Sequence, residues 1–232
     1  MDVAVVVFPG SNCEQDVTHL YGDILGQSAR EVWHEETDLG SPDLVVLPGG
    51  FSYGDYLRCG AMAKLSSIMN EVTAFAQKGG PVIGICNGFQ ILCEAGLLPG
   101  VLLQNRSMKF ISKFLHIRVE NRETPFTKQY EASEILTCPV AHFEGNYFAA
   151  PEDLLKIEDN GQVIFRYCDA DGVVDAKSSD SNPNGSLNSI AGICNQQRNV
   201  VGLMPHPERS SEQVNQYIGN LNNRKLFESV FL

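Results

Sequence analysis

The chain predicts a doubly wound α/β fold, an open and mostly parallel sheet with helices on both faces and a small strand-rich decoration in the middle. Three observations carry this expectation. Short apolar runs at 3–8, 44–47, 82–85 and 200–204 have the length and unbroken hydrophobicity of strands buried on both faces. Helical periodicity alternates with them through about residue 100. A turn motif rich in Gly, Pro or Asn follows each run, at the strand ends where open α/β sheets hold their ligands.

The first run, Met1-Asp2-Val3-Ala4-Val5-Val6-Val7-Phe8, reads as the opening strand. It is far shorter than the roughly 20 residues needed to span a bilayer, and it lacks the basic segment of a secretion signal. Leu20, Tyr21, Ile24 and Leu25 share a helical face before Gly26, and a strand precedes His34. Ile68, Val72, Phe75 and Ala76 share another face before Gly79-Gly80. Residues 110–119 and 135–143 read as strands with no long helix between them. The stretch 105–195 is therefore expected to decorate the same domain, so that 1–232 forms a single domain. Residues 169–188 are rich in Asp, Ser, Asn, Pro and Gly, the composition of an exposed loop. Leu226, Phe227, Val230 and Phe231 give a last helix its apolar stripe.

The 232 residues suffice for one α/β domain with a full core. A net charge of −11 with no basic run disfavours duplex nucleic acid and anionic membranes as partners. The seven cysteines, at 13, 59, 86, 93, 138, 168 and 194, are odd in number and scattered, which suits reduced thiols in a cytoplasm. With no C-x-x-C pair, a structural zinc site has little support, and no metal is expected.

Cys86 is the most informative residue. In Pro81-Val82-Ile83-Gly84-Ile85-Cys86-Asn87-Gly88-Phe89-Gln90 it lies between an apolar run and a helix, with glycine two residues away on each side. This is the spacing of a nucleophile elbow with sulfur in place of oxygen. The helix amino terminus would favour the thiolate. The segment alone is equally compatible with a core thiol. A nucleophile needs a base, and the base an orienting group. Pro205-His206-Pro207-Glu208 follows the last run and supplies both types, with prolines that disfavour helix and suit an extended turn. Gly49-Gly50 in Pro48-Gly49-Gly50-Phe51 and the N–H of Asn87 are candidate donors to an oxyanion. Pro9-Gly10-Ser11-Asn12 follows the first strand, so four motifs would converge on one cleft.

Other residues weigh less. His34-Glu35-Glu36 is better read as a solvated turn than as a metal site, since no third partner is in view. His142 is a rival catalytic histidine or a structural loop residue. His19 is expected on a helix surface and His116 in the strand-rich middle. Asp55 and Arg58 suit a local ion pair or a partner surface. Cys59 and Cys93 have no base nearby in sequence.

With these motifs assembled, the chain resembles the class I, triad-type glutamine amidotransferases. Their G-x-C-x-G-x-Q motif is here Gly84 to Gln90, and their H-P-E motif is His206-Pro207-Glu208. Within that superfamily the chain more closely resembles the glutaminase subunits of phosphoribosylformylglycinamidine synthases. The resemblance rests on Pro9 to Cys13, on Pro48-Gly49-Gly50-Phe51-Ser52-Tyr53-Gly54-Asp55-Tyr56-Leu57-Arg58-Cys59-Gly60, on Cys86 to Leu92 and on Met204 to Arg209. The long middle stretch is specific to these subunits. Ala141-His142-Phe143-Glu144-Gly145 departs from their usual A-H-G-E-G, and the 169–188 loop is longer than in compact members.

The resemblance implies a flavodoxin-like fold and a catalytic set of Cys86, His206 and Glu208. It implies that Gly49, Gly50, Phe51, Asn87 and Gln90 bind glutamine or its oxyanion. It also implies that ammonia passes to a large synthase subunit, with room for a third small subunit. That partner uses ATP and magnesium to convert formylglycinamide ribonucleotide in purine synthesis. No cofactor is expected in this chain, which has no G-x-x-x-x-G-K-[ST] loop. Two other readings keep the fold: a stand-alone cysteine hydrolase, and a binding module with an abandoned site.

Overall fold

The computed structural model describes residues 1–212 and 221–232. Its frame is a nine-stranded sheet in the order β2-β1-β3-β4-β11-β10-β9-β6-β7. The parallel half comprises β1 (Asp2–Val7), β2 (Ser28–Trp33), β3 (Leu44–Leu47), β4 (Val82–Ile85) and β11 (Val200–Leu203). All four residues of β3, β4 and β11 are buried, as expected of strands covered on both faces.

The decoration expected in the middle is mostly an extension of this sheet. Antiparallel β10 (Ile190–Cys194), β9 (Val163–Cys168), β6 (Ile111–Val119) and β7 (Ile135–His142) continue it from β11 to the far edge. Burial in β7 alternates residue by residue, because this edge strand has one face on the core and one toward solvent. Among the described residues, only β5 (Val101–Leu103) and β8 (Asn146–Phe148) form a separate two-stranded ribbon.

Helix α1 (Glu14–His19) leads into a π-helical turn, Leu20–Ile24, and links β1 to β2. Helix α2 (Ile68–Gln77) links β3 to β4, and α3 (Asn87–Glu94) follows β4. The step from β1 to β2 runs opposite to the step from β3 to β4. Right-handed crossovers then place α1 and α2 on opposite faces. The switch in direction falls between β1 and β3, and sheets of this kind bind ligands beyond the strand ends near such a switch. Helix α4 (Pro151–Asp159) has no counterpart in the sequence expectation, although Pro151 at its first turn with Glu152 and Asp153 behind it is a helix-start signal. The last helix, α5 (Lys225–Glu228), buries Leu226 and Phe227, and a 3-10 turn, Ser229–Phe231, completes it.

Two loop expectations are corrected. The 169–188 stretch is only partly exposed: Ser181, Asn182, Asn184 and Ser186 are buried. Asn184 Nδ2 donates to Gly145 O at 2.7 Å, and Ser186 Oγ accepts from Tyr147 N–H at 3.0 Å. Polar composition misleads here because these side chains satisfy backbone groups of a neighbouring loop instead of water. His34 is likewise buried, not solvated, and shares a 2.8 Å hydrogen bond with Tyr53 Oη.

Candidate active site

Cys86 occupies the turn between β4 and α3 with φ 51° and ψ −104°. A residue with a side chain reaches this conformation only when the surroundings enforce it. The turn is closely packed on both sides of Cys86. A Cβ on Gly88 would lie 1.9 Å from Leu47 O, and one on Gly84 would lie 2.6 Å from the Gly88 backbone. Helix α3 can therefore press against β3 and β4 only if both positions are glycine. The Cys86 N–H donates to Leu203 O at 2.8 Å, and its thiol approaches Ala141 O at 3.9 Å.

His206 follows β11. Its N–H donates to Pro139 O at 2.9 Å, and its Nδ1 lies 2.6 Å from Glu208 Oε1. Both side chains are buried. The expected extended turn is instead a 3-10 turn, Pro207–Ser210, with Pro207 in its first position. Proline fits there because a first-turn N–H would have no helical partner. The tight turn brings Glu208 back onto His206. Burial opposes protonation of this imidazole, but the Glu208 carboxylate and the thiols of Cys86 and Cys13 outweigh it. Together they hold the His206 pKa well above its ordinary value. Cys86 and Glu208 thus both act on His206, the relation a nucleophile, base and orienting group require.

The glycine loops lie against this pair. Gly49 O accepts from Asn12 N–H and Cys13 N–H, both at 3.2 Å, which ties the loop after β1 to the loop after β3. A Cβ on Gly49 would lie 2.7 Å from the His206 ring, so glycine there lets the imidazole approach. The Phe51 N–H is committed to Gly10 O at 2.8 Å, which removes it as a donor to substrate. A cavity of about 120 Å³ opens beside Cys86, lined in part by Gly50, Phe51, Gln90 and residues 141–144. A wider groove of about 740 Å³, lined by residues such as Glu120, Arg166 and Arg198, contains neither Cys86 nor His206.

A family model described as a CobB/CobQ-like glutamine amidotransferase domain matches residues 1–229. The chain belongs to this glutamine amidotransferase family. Subunit PurQ of phosphoribosylformylglycinamidine synthase from Gloeobacter violaceus is 51% identical over 230 residues, 99% of this chain and 97% of the relative. The subunit of the same name from Chlorobaculum tepidum is 54% identical over 229 residues, covering 99% and 95%. A chain in the solved structure of PurLQS from Thermotoga maritima has a TM-score of 0.84 at 41% identity, covering 99% of this chain and 97% of that one. A glutamine amidotransferase from Thermotoga maritima shares the fold, with a TM-score of 0.55 at 15% identity and coverage of 100% and 82%.

This glutamine amidotransferase brings some of the remaining candidates to the cavity and leaves others away from it. Gln90 lines the cavity with its amide engaged: Oε1 accepts from Asn87 Nδ2 at 2.9 Å and Nε2 donates to Glu144 O at 2.6 Å. Asn87 Oδ1 accepts from Ser52 N–H at 3.1 Å. This chain of amides fixes the cavity wall. His142 also lines the cavity, but its Nδ1 meets Asn105 Oδ1 at 3.1 Å, not a carboxylate, and its Nε2 is buried with no partner among the described residues. Burial first, then the charge of His206, lowers its pKa to about 4 and keeps it neutral. Arg58 pairs with Glu94 through contacts of 2.5 and 2.7 Å and not with Asp55, which corrects the local-pair expectation. Asp55 instead lines the cavity with Cys59 and Glu144. His19 is exposed and pairs with Asp23 and Glu212. His116 contacts Thr137 across β6 and β7 at 3.0 Å.

Sequence spacing misses Cys13. It is buried and lies beside His206 and Glu208, because the loop after β1 and the end of β11 converge in space.

Proposed function

We propose that residues 1–232 form a single glutamine amidotransferase domain that serves as the glutaminase subunit of a phosphoribosylformylglycinamidine synthase. The observation that carries the reading is the buried His206–Glu208 pair set against a strained Cys86. It occurs in a chain 51% to 54% identical to PurQ subunits over almost its whole length.

The Cys86 sulfur attacks the side-chain amide carbon of glutamine. The N–H groups of Gly50 and Asn87 stabilise the oxyanion, and Gly49 gives His206 access. His206, oriented by Glu208, gives a proton to the departing ammonia and leaves a glutamyl thioester. It then takes a proton from water as that water attacks the thioester, and glutamate leaves with the thiolate restored. Gln90 shapes the glutamine pocket by holding Asn87 and the 144 backbone together, and Phe51 forms its outer wall. Asp55 and Glu144 suit the α-ammonium of an amino acid, since Asp55 Oδ1 is buried without a partner.

Ammonia set free in water would be protonated and lose its nucleophilicity, so it must pass directly to the large synthase subunit. That partner, with a third small subunit, uses ATP and magnesium to convert formylglycinamide ribonucleotide, and this chain needs no cofactor of its own. Exposed Phe51, Tyr56, Leu57 and Leu65 lie on the segment that borders the cavity and offer an apolar surface for docking. No helix among the described residues is long and apolar enough to cross a membrane. The composition and the pathway suit the cytoplasm, with neither nucleic acid nor membrane as partner.

Cys86→Ala in the reconstituted synthase tests this reading. Glutamine-dependent synthesis should vanish while ammonia-dependent synthesis persists. Loss of both activities with assembly intact, or survival of the glutamine-dependent one, would overturn it.

A further inference from the structure

Cys13 is a buried thiol that the proposed reaction does not use, yet it sits beside the residues that the reaction depends on. One ligand atom each of Cys13, His206 and Glu208 lie within 4.8 Å of one another. All three residues are buried. Ligand atoms of a tetrahedral zinc site, with bonds of 2.0–2.3 Å, lie roughly 3.5 Å apart, so small side-chain rotations would close this set around an ion. A second observation points the same way. Glu208 Oε2 is buried and has no hydrogen-bond partner among the described residues, although Oε1 is held by His206. A buried carboxylate oxygen without a donor is costly unless a proton donor or cation reaches it. Asp16, which contacts Cys13 and feels the charge of Glu208, adds a further acidic group at the same place.

We infer that Cys13, His206 and Glu208 form an inhibitory site for a thiophilic divalent cation of the zinc class. The donor set of one sulfur, one imidazole nitrogen and one carboxylate oxygen is of the kind zinc takes, and hard cations such as magnesium disfavour it. Binding displaces the thiol proton of Cys13 and the imidazolium proton of His206 to solvent and forms metal bonds to sulfur, nitrogen and oxygen. A metal on either ring nitrogen removes the imidazole from proton transfer. Glutaminase turnover then stops without any modification of Cys86. This inhibitory consequence rests on the proposed role of His206, whereas the metal site itself does not.

The experiment uses Co²⁺ as a spectroscopic stand-in for Zn²⁺, titrated anaerobically into the full-length protein. The thiolate-to-cobalt charge-transfer band in the near ultraviolet reports sulfur ligation without any need for turnover. The unaltered protein and Cys86→Ala should both develop the band at a single equivalent, and added Zn²⁺ should abolish it. Cys13→Ala should lack it while its circular dichroism matches the parent. If Cys13→Ala does not fold, Cys13→Ser keeps a side chain of similar size and should also lack the band. No band in the unaltered protein would overturn the proposal, as would a band that depends on Cys86 or one that survives in both Cys13 variants. Because Cys86→Ala cannot turn over glutamine by the proposed route yet should still bind cobalt, failure of this site and failure of the glutaminase reading are separable.

Discussion

At Cys86 the backbone holds a conformation that costs a side-chain-bearing residue about 1–3 kcal/mol, in a turn packed so closely that Gly84 and Gly88 leave no room for a side chain. The spacing Gly84-x-Cys86-x-Gly88 is legible in the sequence because each glycine answers a local steric demand. The place of Cys13 and the burial of His34 are not, because each depends on a partner brought in by tertiary folding: His206 for one, Tyr53 for the other. His142 shows what burial does to a titrating group. Its pKa falls from 6.5 to about 4, so the unfolded chain takes up this proton at a higher pH than the folded one. The associated stability is fully present above about pH 6.5 and drains away as pH falls toward 4, by at most about 3 kcal/mol. His142→Gln should flatten this part of the acid dependence when urea unfolding is followed from pH 7 to 4. Parallel curves for variant and parent would contradict the assignment.

Among the elements, β3, β4 and β11 are legible as unbroken apolar runs because both of their faces are covered. The strands β6 and β7 are legible as strands, but their place is not. Nothing in an alternating pattern says whether an edge strand extends the main sheet or forms a second one, since that depends on which edge is left open. Helix α4 escapes a reading by periodicity although its start signal is present, because it is short and only Ile157 is buried. Helix α3 is the element on which the site depends, and its seat against β3 is defined at Gly88. Gly88→Ala must push α3 away from Leu47 or unfold the turn. It should lower stability by about 1–3 kcal/mol or more and reduce glutaminase activity beyond what the stability loss explains. Thermal unfolding and turnover measured below the midpoint would check this. A variant as stable and active as the parent would show that the contact is not needed.

On the scale of the molecule, one parallel half-sheet collects four strand-end motifs. The loop after β1 grips the loop after β3, α3 presents Cys86, and the turn after β11 returns His206 and Glu208 to it. Each motif and its strand end can be read from the sequence. The side chains that line the cavity cannot, because Asp55, Cys59 and residues 141–144 arrive from segments far apart in the chain. The cavity therefore exposes two thiols, Cys86 and Cys59, and only one is coupled to a histidine and carboxylate. Burial, with Asp55 and Glu144 beside it, drives the Cys59 pKa far upward and so disfavours its nucleophilic thiolate form. The central claim, that Cys86 is the sulfur that attacks glutamine, can be read directly by peptide mapping. The protein, alone and with its synthase partner, is treated with a diazoketone analogue of glutamine, and the adduct is located by mass spectrometry. The adduct is predicted on Cys86, prevented by excess glutamine and absent in Cys86→Ala. An adduct on Cys59 or Cys13, or no adduct even in the assembled complex, would contradict the account.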